Sequence, residues 1–124
     1  MARTGTRRNT LDNSGLIPIL ARKVREVEAK AQTGKKVGPT NRTKFQVIAF
    51  LVREERARVK GDASLTDASR AEQLKRLDGV ATILAKTAAR DTSLIQLLEV
   101  DHATSPVAQK MRRDWLVESG AEIN

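Results

Sequence analysis

Cysteine and tyrosine are absent from the 124 residues, and histidine and tryptophan occur once each. Without thiols the chain can hold no disulfide framework, thiolate nucleophile or thiolate metal site, and it suits a reducing compartment; a cytoplasmic location is the expectation. Phe45, Phe50 and Trp115 are the only aromatics, so platforms for stacking unpaired bases are scarce. Long apolar runs are missing as well. The longest, Val47 to Val52, is far too short to span a bilayer, and the basic N-terminus MARTGTRRNT has no apolar segment directly behind it. Neither a membrane partner nor a signal peptide is expected.

Patterns that carry chemistry are equally sparse. The one histidine, His102, adjoins Asp101 and lies near Glu99 with no further ligand types at hand, so it reads as a surface or capping residue and not as part of a metal set. No nucleophile elbow, zinc-protease helix, calcium loop or dinucleotide fingerprint occurs. Gly34, Lys35, Lys36 and Thr40 look like pieces of a phosphate loop, but the order GxxxxGK followed by Ser or Thr is not there. Glu54 and Glu55 lie among Arg53, Arg56 and Arg58, where pairing within a helix accounts for them. The chain reads as a non-enzyme that needs no metal and no cofactor.

Charge is what the sequence has in quantity. Charged residues make up 31% of the chain, with 23 Lys+Arg against 15 Asp+Glu, a net of +8. Residues 1–60 hold 15 basic and 5 acidic side chains, a net of +10, whereas residues 61–124 hold 8 and 10, a net of −2. Such asymmetry between halves points to a polyanionic partner for the first half.

Apolar periodicity sets the fold class: all-α, a small bundle of four or five helices with a flexible basic arm. Residues 1–13 form the arm, with Arg3, Arg7 and Arg8 against Asp12; residues 14–120 form one bundle domain, and 121–124 a short tail. The stretch from Leu65 to Arg90 places Leu74, Leu77, Ala81, Leu84 and Ala88 at spacings of three and four, and the other helices are expected to close around it. Its cap is Ser64 with Asp67 or Ser69 with Glu72. A first helix runs from Ser14 or Gly15 to about Gln32, with Ile17, Leu20, Val24, Val27 and Ala31 as its stripe and Glu26 spaced to pair with Lys30. Thr33 to Asn41, with two glycines and Pro39, reads as an exposed linker.

The second helix, Arg42 to Lys60, includes FQVIAFLV, whose apolar residues cover more than half the circumference. A short helix from Thr92 or Ser93 to Val100 is expected to bury Leu94, Ile95, Leu97 and Leu98. The last, Pro106 to Ser119, is capped by Ser105 and presents Val107, Met111 and Trp115. Leu20, Val24, Val27, Ile48, Val52, Leu74, Leu77, Leu84, Met111 and Trp115 are expected in one core.

Two functions fit this description. In the first, the chain is a small basic nucleic-acid-associated protein that contacts the phosphates of duplex DNA or structured RNA, largely without regard to sequence. Arg3, Arg7, Arg8, Arg22, Lys23, Arg25, Lys35, Lys36, Arg42 and Lys44 are its candidate contacts. Lys86 and Arg90, on the solvated side of the third helix, are expected to contribute less than the arm and linker. In the second, the bundle is an assembly subunit docking on a larger protein or ribonucleoprotein machine through its less basic half.

Overall fold

Gly15 enters helix α1 (Leu16–Ala31) with a φ of 94°, a left-handed backbone that a Cβ disfavours. Its N–H donates to the Ser119 carbonyl at 3.0 Å, which ties the start of the first helix to the end of the last. The computed structural model describes residues 15–99 and 105–120. Pro18 lies in the first turn of α1, where its missing N–H would have had no helical partner. The helix buries Leu16, Ile17, Ile19, Leu20, Val24, Val27 and Ala31, which includes the expected stripe.

Helix α2 (Pro39–Gly61) starts three residues earlier than expected. Gly38 is its N-cap and Pro39 its first helical residue, where a fixed φ helps and an N–H is not needed; the Gly-Pro pair begins this helix and does not prolong the linker. From Phe45 to Ala49 every residue is buried, with Leu51, Val52, Glu55 and Val59 beyond. Contacts explain this, because α2 is the helix that touches α1, both later α-helices and the short helix between them. The central position therefore belongs to α2, correcting the expectation that the other helices close around the Leu65–Arg90 stretch.

Helix α3 (Asp67–Arg90) is capped by Thr66, whose Oγ1 accepts from the Ser69 N–H at 3.0 Å. Neither expected cap is used; the Asp62 carboxylate instead accepts from both the N–H and the hydroxyl of Ser64, holding that residue in the turn. The buried side of α3 is Leu77, Val80, Leu84, Thr87 and Ala88, while Leu74 and Ala81 are half-buried at the edge of the core. Thr87 was not foreseen there. Its hydroxyl donates to the Ile83 carbonyl at 2.8 Å, so the buried polar group is satisfied inside its own helix.

A 3₁₀ helix (Thr92–Glu99) follows, and its tighter winding corrects the expectation that all its large apolar residues are buried. Three residues per turn stack Leu94 and Leu97 toward the core and turn Ile95 outward, 46% exposed. Helix α4 (Pro106–Glu118) is capped as expected, the Ser105 hydroxyl accepting from the Ala108 N–H at 3.0 Å. Ala108 and Trp115 are buried with Met111 half-buried, whereas Val107, placed in this stripe from the sequence, is 62% exposed. His102 and the arm Arg3, Arg7 and Arg8 lie outside the described residues.

The described residues are all-helical, four α-helices and one 3₁₀ helix without a strand. α1, α2 and α3 pack on one another; α4 lies on α1 and α2, and the 3₁₀ helix on α2 and α3. Short connections make successive helices antiparallel, so α1 and α3 run in the same direction. At one end the start of α1 shares a cleft with Glu55 and Arg58 of α2 and with Ser69 and Gln73 of α3. At the other end α1 and α3 finish together and α2 begins.

Asp91 pins that second end. Its Oδ2 accepts from the Val37 N–H at 3.0 Å, and its Oδ1 accepts from the Ser93 N–H at 3.1 Å and hydroxyl at 2.6 Å. Lys35 and Lys36 are exposed as expected, but Val37 is buried, so the linker is fastened at its middle. The Ser93 hydroxyl and then the Val37 N–H hold the Asp91 carboxyl below its ordinary range. Asp91→Ala should cost about 1 to 3 kcal/mol at neutral pH, since it leaves the buried Val37 N–H without its partner. A depressed carboxyl pKa stabilises the fold above the ordinary carboxyl value and loses that effect as pH falls through the folded value. Urea midpoints of parent and variant should therefore converge in acid, and trypsin should cut after Lys36 faster in the variant. A gap unchanged by acid would refute the assignment.

Candidate functional site

Part of the charge asymmetry along the chain is folded onto itself. Arg22 of α1 pairs with Glu118 of α4, Arg56 of α2 with Asp78 of α3 at 2.6 Å, and Arg58 with Glu55 at 2.8 Å and Asp62 at 3.3 Å. The Glu55 hydrogen bond, foremost, raises the Arg58 pKa. Of the candidate contacts read from the sequence, four are engaged within the chain. Besides Arg22, Lys44 reaches Glu26 at 3.2 Å, Lys23 Nζ stands 5.7 Å from the Trp115 ring centroid, and Arg42 donates to the Ser93 hydroxyl at 2.7 Å. Arg25, Lys35 and Lys36 point to solvent without an ionic partner among the described residues.

Three more cations lie near Lys35 and Lys36: Lys30, expected from the sequence to pair with Glu26, and Lys86 and Arg90, expected to contribute less than the arm and linker. Glu26 bonds Lys44 of α2 and not Lys30 one turn along, so Lys30, in the last turn of α1, has no ionic partner among the described residues. Lys86 and Arg90 lie exposed in the last turns of α3. Because α1 and α3 are parallel, their ends meet, and the Val37 to Asp91 hydrogen bond has Lys36 next to one partner and Arg90 next to the other. Lys30, Lys35, Lys36, Lys86 and Arg90 thus share one end of the bundle. The signal for this was present in the connection lengths: two short connections make the first and third helices parallel and bring their C-termini together.

Electrostatics at this end favour an anion. Asp91, whose oxygens accept hydrogen bonds from neutral donors, and half-buried Glu28, one turn back on α1, set two negative charges against the five cations. The first turn of α2 has no side-chain cap, so the Thr40 and Asn41 amides add the positive end of a helix dipole. Lys30 and Arg90 also offset the negative ends of α1 and α3, a stabilising role worth a few tenths of a kcal/mol to about 1 each. That role accounts for those two residues but not for Lys35, Lys36 and Lys86. Among the described residues no group of His, Cys, Asp or Glu is arranged to hold a metal ion, and no helix is long and apolar enough to cross a membrane.

Residues 17–120 match the family model described as the actinobacterial helicase N-terminal four-helix bundle. The chain belongs to that family. No curated protein and no solved structure matches it. The region shared with the helicase bundle family runs from the first turn of α1 to just past α4, so it contains the whole basic end and excludes Arg3, Arg7 and Arg8 of the arm. The four bundle helices are α1 to α4, with the 3₁₀ helix inserted between the third and fourth.

Proposed function

We propose that this helicase-family bundle is a non-catalytic accessory domain that holds the phosphate backbone of duplex DNA or structured RNA against its basic end. The observation that carries the reading is the gathering of Lys30, Lys35, Lys36, Lys86 and Arg90 at one end, where they outnumber the acids Asp91 and Glu28. A family named for a helicase domain supports nucleic acid as the partner. Contacts of this kind position a backbone and carry no sequence information.

The aromatics support duplex or structured RNA over an unpaired strand. Phe45 and Trp115 are buried, and Phe50 is half-buried with the Arg112 guanidinium 5.6 Å from its ring centroid, so none presents a free face to a base. The non-catalytic reading rests on the two most buried acids, both of which serve the fold: Glu55 in its bidentate pair with Arg58, and Asp91 in its junction.

Anisotropy titrations of the whole chain against labelled duplex DNA and hairpin RNA at several salt concentrations test the proposal. Binding should weaken along a straight line in a log-log plot, with a slope of about 0.9 per phosphate contact on duplex DNA, and should vary little with sequence. Absence of binding to both at low salt would end it.

A further inference from the structure

The three-helix cluster of α1, α2 and α3 has three outer grooves, and two of them carry another element. α4 lies on α1 and α2, joined through the Arg22–Glu118 pair and the stacking of Lys23 on Trp115. The 3₁₀ helix lies on α2 and α3, where Arg53 of α2 donates to its Leu98 carbonyl. The groove between α1 and α3 carries nothing among the described residues, and no hydrogen bond or ion pair crosses it. It forms a cleft of about 340 Å³ in which Ile17, Pro18 and Ala21 face Val80 and Ile83.

Two features say what fits. Arg25 and Arg76 line this cleft and no acid does, Glu72 and Glu55 lining the adjoining one that shares Arg76; among the described residues Arg25 has no ionic partner, and Arg76 has only exposed Glu72 of its own helix at 3.2 Å. Gly79 stands on the lining of the cleft, in the interior of α3. Glycine is the least favourable helix residue after proline, yet a Cβ here would meet nothing within 4 Å, so no contact within the chain requires its absence. A missing side chain on an open apolar groove lets a second backbone approach closely.

We propose that the α1–α3 groove docks a helix of a partner protein that carries an apolar stripe flanked by Asp or Glu. Charge argues against two nearer alternatives. A second copy using the same groove would set Arg25 and Arg76 against their own kind, and residues 1–14 bring Arg3, Arg7 and Arg8 against one acid, Asp12. An acidic helix completes the third groove as α4 and the 3₁₀ helix complete the other two. Its apolar side chains cover the half-buried Pro18, Ala21 and Ile83, its carboxylates meet Arg25 and Arg76, and its backbone passes over Gly79.

The probe is a displayed library of amphipathic helices of about 15 residues, roughly four turns, with a fixed leucine stripe and randomised flanks, selected on the whole chain. Enriched sequences should carry Asp or Glu in the flanks. A synthetic helix from the selection should bind at least tenfold more weakly to Gly79→Leu, whose melting temperature should hold or rise, because leucine is a better helix former and meets nothing in the chain. The double variant Arg25→Glu with Arg76→Glu should prefer basic flanks. The proposal is overturned by enrichment without acidic flanks, or by equal affinity for parent and Gly79→Leu. Self-association of the parent that Gly79→Leu abolishes, or a tenfold loss of duplex DNA binding in that variant, would give the groove to another occupant and overturn it equally.

Discussion

Phe45→Ala should lower the unfolding free energy by about 3 to 5 kcal/mol, the range for removing a buried phenyl ring. Phe45 is the largest side chain in the core with no exposure, on the helix that every other described element touches. The loss combines the transfer free energy of the ring with the cavity left behind, because the surrounding structure relaxes only in part. At this chain length the melting temperature should fall by about 4 °C per kcal/mol. Val107→Ala is the control. Its side chain is 62% exposed, and surface changes of this kind stay within about 0.5 kcal/mol. Urea denaturation of both variants checks the pair, and a Phe45→Ala midpoint close to the parent's would remove α2 from the centre of the fold.

The contrast between Phe45 and Val107 also shows which part of the fold was legible. Element type was clear wherever apolar residues recur over three turns or more, as from Ile17 through Leu20, Val24 and Val27 to Ala31 or from Leu74 through Leu77 and Leu84 to Ala88, because a helix is the one structure that puts such a set on one side. Burial in short elements was not clear. Ile95 and Leu94 are indistinguishable by composition, and only the winding of a 3₁₀ helix separates them. Helix ends misled for a related reason: Ser64, Thr66 and Ser69 can all cap, and the choice fell to Thr66 once Asp62 had taken Ser64.

Ion pairing was the least legible of all, since it is settled between helices distant in sequence. Glu26 has Lys30 in reach on its own helix and bonds Lys44 of the next. Arg22 looks as free as Lys35 in the sequence and is matched by a glutamate 96 residues away. The net of +10 in the first half was correctly counted, but the chain folds acids of the second half over part of it. Sequence reasoning therefore ranked Lys86 and Arg90 below Lys35 and Lys36, whereas the fold brings all of them to one end.

Replacing Lys30, Lys35, Lys36, Lys86 and Arg90 together by Gln should accordingly have the largest effect on nucleic-acid binding of any change within the described residues. If each contacts one phosphate of duplex DNA, the log-log salt slope falls by about 4.5, at 0.9 per contact. Over a rise from 50 to 200 mM salt the parent would lose about 500-fold in affinity through these contacts, and the variant would lose none of it. Neutralising Lys35 and Lys36 alone, or Lys86 and Arg90 alone, should lower the slope by about 1.8 in either case, since the two pairs share one surface. The matched control is Arg22→Gln with Arg56→Gln and Arg58→Gln, which removes cations of the same chain that are already held by Glu118, Asp78 and Glu55. Those side chains have carboxylate partners to release before they can meet a phosphate, so the control should change the slope by less than one contact. The urea midpoint of the fivefold variant separates binding from folding, because the exposed changes at Lys30 and Arg90 remove only the helix-end stabilisation of about 0.3 to 1 kcal/mol each. The control removes three charges against five, so a fall in its slope of about three-fifths that of the fivefold variant, roughly 0.9 for every charge removed, would mean that the charge acts as a diffuse cloud and that the basic end is no site.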